Sequence, residues 1–335
     1  MAVTGTNWTC YDSSTMTSRE IYGRTLAELA KEDKRIVALT ADLEKSTALN
    51  KFGEVAPERL FNVGIAEQNL FGAAAGMAKT GLIPFASTFA IFACLRAGEQ
   101  IRTDIAYQNL PVKIIATHGG MSFGHAGTTH HCTEDFAVMR SIANMTVICP
   151  ADGAEAAQAI RASLGVNGPV YIRLGRGFEP PCYENTDYEY HIGKAITMRE
   201  GKDMTIIACG IGVLQSLNAA KTLAEEGIDV RVVNMHTLKP LDREAVIAAA
   251  RETGHILTVE EHNIIGGLGD AVASVLAEEG IACRFHKHGV QDIFAEIGYA
   301  EDLYAHYGLD ANGIADEARR MMGIPTPEDD NWEDE

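Results

Sequence analysis

Short, apolar, β-branched runs alternating with longer alanine-rich stretches predict an α/β protein of two domains, each a mostly parallel sheet with helices on both faces. Three observations carry this prediction. The first is rhythm: RIVAL (35–39), LIPFA (82–86), VKIIAT (112–117), TVICP (146–150), VYIRL (170–174), MTIIAC (204–209), DVRVVN (229–234) and HILTVE (255–260) are each short and apolar enough for a buried strand. The second is a break in that rhythm. Between Gly175 and Gly193 the segment RGFEPPCYENTDYEYHI is polar, contains Pro180-Pro181, and follows neither the strand nor the helix period. The third is size, since 335 residues with 46% hydrophobic content fill about two cores. The expected organisation is a first domain over 1–180, a linker over 181–192, a smaller second domain over 193–324, and an acidic tail over 325–335 without fixed structure.

Charge and cysteine usage narrow the function classes. A formal charge of −18 opposes a polyanionic partner, which argues against nucleic acid while leaving room for a few buried cations around a small phosphate. The seven cysteines are scattered and contain no C-x-x-C, so they read as reduced thiols rather than a disulfide frame or zinc site. No apolar run is long enough for a membrane span, and the N-terminus lacks the layout of a secretory signal, so a cytoplasmic location is expected.

Three segments carry chemistry. In FNVGIAEQNLFGAAAGMAKTG (61–81) a short apolar run meets Gly64, and Glu67 stands at the start of a helical pattern. A strand end feeding a helix start is where α/β proteins place ligands. From spacing alone Glu67 reads first as an acid in the first helical turn, set against the helix dipole. The residues Gly72 to Gly76 are all glycine or alanine, a surface that another helix can approach closely. In PFASTFAIFACLRAGEQIR (84–102), Phe89 and Phe92 share a face if helical, either as core or as stacking faces for a flat ring. The third segment, THGGMSFGHAGTTHHCTEDF (117–136), is a glycine-rich loop after a strand and holds His118, His125, His130 and His131. Long loops of this kind are usually functional. The histidines read as substrate-binding or proton-transfer groups, or as a solvated loop; with Cys132 and Glu134 they complete no recognised metal spacing, so no metal ligand is assigned. Weaker signals are CGIG (209–212), which lacks the third glycine of a dinucleotide fingerprint, and EEHNIIGGLGD (260–270), which opens a helix either onto an anion or as a tight turn. HKH (286–288) reads as surface, and ADG (151–153) as a helix N-cap.

With GIAEQN, STFAIF, the histidine loop, YIRLGRG and VEEHNIIGGLG in this order over nearly the whole chain, the sequence resembles the C-terminal portion of transketolase, a pyrimidine-binding domain followed by the C-terminal domain. It is most similar to the smaller-half subunit of a split transketolase. That resemblance implies thiamin diphosphate as cofactor and two-carbon ketol transfer from a ketose, or its phosphate, to an aldose. It places Glu67 at the aminopyrimidine N1′, where a carboxyl group promotes the cofactor's activation. Phe89 and Phe92 match the aromatic pair against the pyrimidine, and Leu95 stands where the family often has another aromatic. His130 corresponds to a histidine beside the substrate hydroxyls, with a hydrogen-bonding or proton-transfer role. Arg19, Ser46, His118 and Arg173 fall on positions that hold a sugar phosphate.

Two departures accompany the resemblance. Where the family usually has G-x-D-G-x-T-H, this loop reads GHAGTTH, with Ala126 in place of a substrate-contacting aspartate and His125 before it. The G-D-G motif that holds the diphosphate through Mg²⁺ is absent from the sequence. The resemblance therefore implies a partner chain, an N-terminal-type transketolase subunit carrying the diphosphate-binding domain and its Mg²⁺ or Ca²⁺, in an α2β2 assembly. Other readings are a β-type subunit of a 2-oxo-acid dehydrogenase, a 1-deoxyxylulose-5-phosphate-synthase-like half, or a catalytically silent assembly subunit.

Overall fold

The computed structural model describes residues 15–177, 179–183 and 188–326. Its strands are β1 (Ile36–Thr40), β2 (Leu60–Asn62), β3 (Ile83–Phe89), β4 (Lys113–Thr117), β5 (Thr146–Ile148), β6 (Val170–Arg173), β7 (Ile196–Arg199), β8 (Met204–Ala208), β9 (Val230–Asn234), β10 (Thr237–Lys239), β11 (His255–Asn263) and β12 (Arg284–Val290). They form a seven-stranded sheet in the order β10-β5-β6-β4-β3-β1-β2 and a five-stranded sheet in the order β12-β11-β8-β9-β7. Every pairing is parallel except β10 with β5 and β7 with β9. The α/β class with two sheets is as expected.

The apolar runs of the sequence all become strands, with β1, β4 and β8 buried at every residue. The four strands that the runs did not reveal, β2, β7, β10 and β12, are the ends of the two sheets. An edge strand is covered on fewer sides, so it needs no continuous apolar run. In β12 the HKH triplet lies within the strand RFHKHGV, whose first part is open to solvent, so the surface reading misses a strand and finds an edge.

Helices begin where the chain supplies caps. Thr17 and Glu20 form a reciprocal capping box at the helix Ser18–Glu32. Asp152 accepts from the Glu155 N–H at the start of Gly153–Ser163, which makes ADG the N-cap the sequence predicts. These two helices pack together on one face of the larger sheet. No helix among the described residues is long and apolar enough to cross a membrane. The expected acidic tail falls mostly outside the described residues.

The two sheets are tied together by more than the connecting segment. Strand β10 follows the second sheet's β9 but pairs with β5 of the first. Around the connection, Tyr183 stacks on Tyr188 at 4.3 Å and Tyr190 on His236 at 4.4 Å. Asn234, at the end of β9, donates through Nδ2 to both oxygens of Glu155 at 2.9 and 3.0 Å, and the Tyr183 hydroxyl donates to Glu155 Oε1 at 2.7 Å. Burial pushes this carboxyl up to about 7, while Asn234, the Ala151 N–H and Tyr183 favour its charged form. Truncating a partner of a buried, charge-assisted network leaves the acid underpaired. Asn234→Ala should therefore cost about 2–3 kcal/mol in urea unfolding; a loss under ~0.5 kcal/mol, ordinary for a surface change, would contradict this account of the junction.

Candidate active site

In an open parallel sheet the strand ends that feed helices gather side chains at one edge. Here the C-terminal ends of β1 to β4 and β6 deliver the residues of interest. Ser46 follows β1, Glu67 follows β2, Phe89 closes β3, His118 follows β4, and Arg176 follows β6.

Glu67 is the first residue of the helix Glu67–Lys79, whose N-cap Ala66 offers no side-chain acceptor. Its carboxylate is 3% exposed and accepts a 2.8 Å bond from Arg96 Nη1. Arg96 also lies over the Phe92 ring at 3.9 Å. A buried acid, a guanidinium and an aromatic face thus form one group. Phe92 opens a π-helical turn, Phe92–Arg96, rather than sharing a regular helix with Phe89. Phe89 ends β3, and the two rings meet at the strand-to-helix corner, 5.5 Å apart and nearly parallel. Such turns recur at functional sites because they re-aim side chains. Leu95 lies on the same turn with 57% exposure and makes no part of the ring cluster.

The histidine loop is closed at its base by paired backbone bonds between Gly120 and Cys132, at 2.9 and 2.8 Å. Within it the Phe123 ring sits 5.0 Å from His118, 5.3 Å from His130, 4.9 Å from His125 and 5.9 Å from Phe89. His118 lies 3.9 Å from Phe89, and His130 lies 5.5 Å from Phe92. Phe123 is therefore the hub of this wall, and nothing but its place among the histidines marked it in the sequence. His131 is different in kind: it is buried, and its Nε2 pairs with the Gly124 carbonyl at 3.0 Å, so it staples the loop from inside. His125 is exposed and lies 6.2 Å from the Tyr299 ring.

Behind this wall lies a cationic corner. Arg19, in the first turn of its helix, donates through Nη1 to the Ser46 carbonyl at 2.6 Å, while its buried Nε has no partner among the described residues. Arg176 lies over the Phe123 ring at 4.8 Å. Among the described residues neither arginine has a carboxylate within 4.0 Å. Burial, and then Arg176, push the Arg19 guanidinium below its usual range. Burial, followed by Arg19, Arg176 and His130, holds His118 down at about 3, so its imidazole is neutral at physiological pH. His130 is also lowered, by burial first and then by Arg96 and His131. Its Nδ1 is bonded to the Thr129 hydroxyl at 2.9 Å. The His118 backbone carries a left-handed φ of 62°, uncommon for a residue with a Cβ and worth about 1–2 kcal/mol of strain.

Arg173, expected with this group, is not in it. It is 3% exposed and lies between Asp135 at 3.7 Å and Glu261, with its Nη2 donating to the Glu261 carbonyl at 2.7 Å. Its side chain also covers Phe136 at 4.5 Å. Its positive charge is already offset by two carboxylates, which leaves a phosphate there no net attraction. Strand alternation explains the shift: Arg173 lies within β6, and Arg176, past the strand end, turns toward His118. The sequence YIRLGRG contains both arginines, and choosing between them needs the register. Ser46 enters the group through its carbonyl, and Arg96, which pairs with Glu67, carries no signal of its role in the sequence.

The segment 260–270 is a tight turn, not an anion site. Glu260 accepts from the Leu268 and Gly269 N–H groups at 2.6 and 2.8 Å and so caps the helix Leu268–Glu278 itself. CGIG is likewise a turn, with Gly210 at a φ of 57°.

The arrangement fits one end of a flat heteroaromatic cofactor, with a buried carboxylate beside aromatic faces, next to a corner for an anion. Among the described residues no three His, Cys, Asp or Glu side chains are grouped to hold a metal ion.

Known proteins share both domains of this chain. The model of the transketolase pyrimidine-binding domain matches residues 14–179, and that of the transketolase C-terminal domain matches 193–314. A solved structure described as a split gene transketolase, inactive beta4 tetramer, is 46% identical, covers 93% of this chain and 100% of that one, and superposes with a TM-score of 0.86. An apulose-4-phosphate transketolase subunit of Phocaeicola vulgatus is 40% identical over 91% of this chain and 97% of its own length. The 6-deoxy-6-sulfo-D-fructose transketolase subunit SqwH of Clostridium sp. is 41% identical over 90% of this chain and 94% of its own. With both domain models matched in order and split-type relatives covered almost end to end, the chain belongs to the transketolase family, as a subunit of the split kind.

Proposed function

We propose that this chain is the pyrimidine-side subunit of a two-chain ketol transferase whose substrates carry a terminal anion. The observation that carries this reading is the Arg19–Arg176–His118 corner, whose arginines have no carboxylate within 4.0 Å among the described residues, joined through the Phe89 and Phe123 rings to the Glu67–Phe92 wall. Thiamin diphosphate, when bound, supplies the nucleophilic carbon and the electron sink. Glu67 would hold a proton at the pyrimidine N1′, with Arg96 fixing the carboxylate's orientation. Phe89 and Phe92 offer apolar faces and would keep water from the ring; Leu95, exposed on the Phe92 turn, would stand outside that pair. His130, neutral and close to Phe92, is placed to accept or return a substrate hydroxyl proton. Arg19 and Arg176 bind the anion by charge-assisted bonds, and neutral His118 adds a donor or acceptor. Two relatives are named for substrates ending in a phosphate or a sulfonate, which suits such a corner.

The diphosphate and its Mg²⁺ or Ca²⁺ would be held by an N-terminal-type partner chain in an α2β2 assembly. Two features support a face for such contacts. Gly76 of the helix Glu67–Lys79 has open space where a side chain would stand, and Phe61 and Ile65, just before that helix, are exposed. Ala126 removes the acid that the family uses at a substrate hydroxyl, so tolerance toward the configuration of that carbon belongs to the same reading.

In a mixture with the diphosphate-binding chain, Glu67→Gln should lower ketol transfer at saturating cofactor by a hundredfold or more, ~3 kcal/mol of barrier; near-normal turnover would refute the cofactor role. Arg176→Ala should raise KM for a phosphorylated ketose by about ten- to a hundredfold, the worth of a charge-assisted bond, and leave an unphosphorylated analogue nearly unchanged. Equal effects on both donors would refute the corner. For the free chain, the depressed folded pKa of His118, about 3 against 6.5 unfolded, means that the unfolded chain takes up a proton that the folded one refuses. Stability should be fully present above pH 6.5 and decline as pH falls toward 3. His118→Asn should flatten that decline in denaturation measured across pH; an unchanged slope would refute the buried, neutral imidazole.

A further inference from the structure

The second domain borders the outer side of the histidine loop through Ile297, Tyr299 and Leu303, and one of its carboxylates reaches under the strained turn that presents His118. The backbone from Thr117 to Met121 doubles back sharply, with φ of 62° at His118 and 58° at Gly120. Three groups hold it there. The Gly119 N–H donates to the Leu174 carbonyl at 3.0 Å, and Gly120 exchanges both backbone bonds with Cys132. The Met121 N–H donates to Glu261 Oε1 at 2.6 Å. Glu261 comes from β11 of the second sheet. The same oxygen accepts from the Tyr304 hydroxyl at 2.9 Å, and Oε2 faces Arg173 at 3.4 Å.

Space under the turn is filled as completely as its hydrogen bonds are. A Cβ on Gly119 would overlap the Arg173 side chain, and one on Gly120 would overlap both the Arg173 guanidinium and the Glu261 carboxyl. The turn therefore rests on a slab made of Arg173 from the first domain and Glu261 from the second. Without Glu261, the Met121 N–H loses its acceptor, Arg173 loses one of its two acids, and room opens below Gly120. A left-handed, non-glycine His118 then has both reason and space to relax toward an ordinary backbone conformation.

We propose that Glu261 is a positioning residue for the anion corner, holding His118 in place across the domain junction. This rests on the reading of His118 as an anion contact. In that role the second domain tunes the affinity for the substrate's terminal anion without touching the substrate.

The test is a double-mutant cycle in the reconstituted two-chain enzyme, reading KM and kcat for a phosphorylated ketose and for its unphosphorylated analogue. E261A should raise KM for the phosphorylated donor about tenfold and change kcat for the unphosphorylated one less than twofold. E261A combined with H118A should be no worse than H118A alone, within about threefold. E261Q, which keeps an acceptor for the Met121 N–H, should recover part of the lost affinity. If the alanine chain does not fold, the same cycle run with E261Q decides, its loss again vanishing in the H118A background. Multiplying losses, or an equal fall of kcat on both donors, would overturn the proposal by showing a general structural role. A phosphate-specific effect of H118A with none from E261A or E261Q would overturn the positioning role alone. No effect from H118A itself would overturn the His118 reading and the proposal with it.

Discussion

A guanidinium withdrawn from water must be matched where it lies, and Arg173 is matched from both domains at once. Asp135, in the first, is fixed by the Tyr171 hydroxyl at 2.7 Å; Glu261, in the second, receives Tyr304 and the Met121 N–H. Phe136 lies between Arg173 and His262, stacked on the latter at 4.9 Å. Removing one partner of such a pair costs about 3–5 kcal/mol, because the remaining charge is left buried and alone. The domain junction and the turn that carries His118 share this one set of contacts, so a change on either side is felt on the other.

That dependence explains what the sequence disclosed and what it withheld. Buried parallel strands must be apolar on both faces, so RIVAL, VKIIAT and MTIIAC announce themselves; edge strands such as RFHKHGV carry no such demand. Glu67, Phe89, Phe92, His118 and His130 were legible because the family's motifs mark them, and the sheet does gather them at one edge. Arg96 and Phe123 were not, since a guanidinium over a ring and a hub among histidines are facts of packing. Arg173 and Arg176 differ by three residues and by everything in their surroundings: one is neutralised beneath the turn, the other faces His118. Residue type and spacing cannot separate them without the strand register.

The acidic balance of the chain sharpens the meaning of the cationic corner. In a protein of net charge −18, arginines ordinarily find acids, as Arg319 does with Glu226 and Asp316, and Arg161 with Glu28. Arg19 has no carboxylate within 4.0 Å among the described residues; burial and then Arg176 lower its proton affinity, against a smaller opposing pull from Glu20 and Glu179, an arrangement that on the proposed reading an anionic substrate would relieve.

Ketol transfer differs from the decarboxylating chemistry of related thiamin-diphosphate enzymes in the fate of two carbons, and that is where the account is most exposed. The measurement is ¹³C NMR of a reaction mixture containing this chain, a diphosphate-binding chain, thiamin diphosphate and Mg²⁺, with a phosphorylated ketose labelled at C1 and C2 and an unlabelled aldose. The two labels should appear together, still bonded to each other, at C1 and C2 of a new ketose, and only when both chains are present. Label that stays in the donor while added pyruvate is consumed with release of CO₂, or transfer by this chain without its partner, would contradict it.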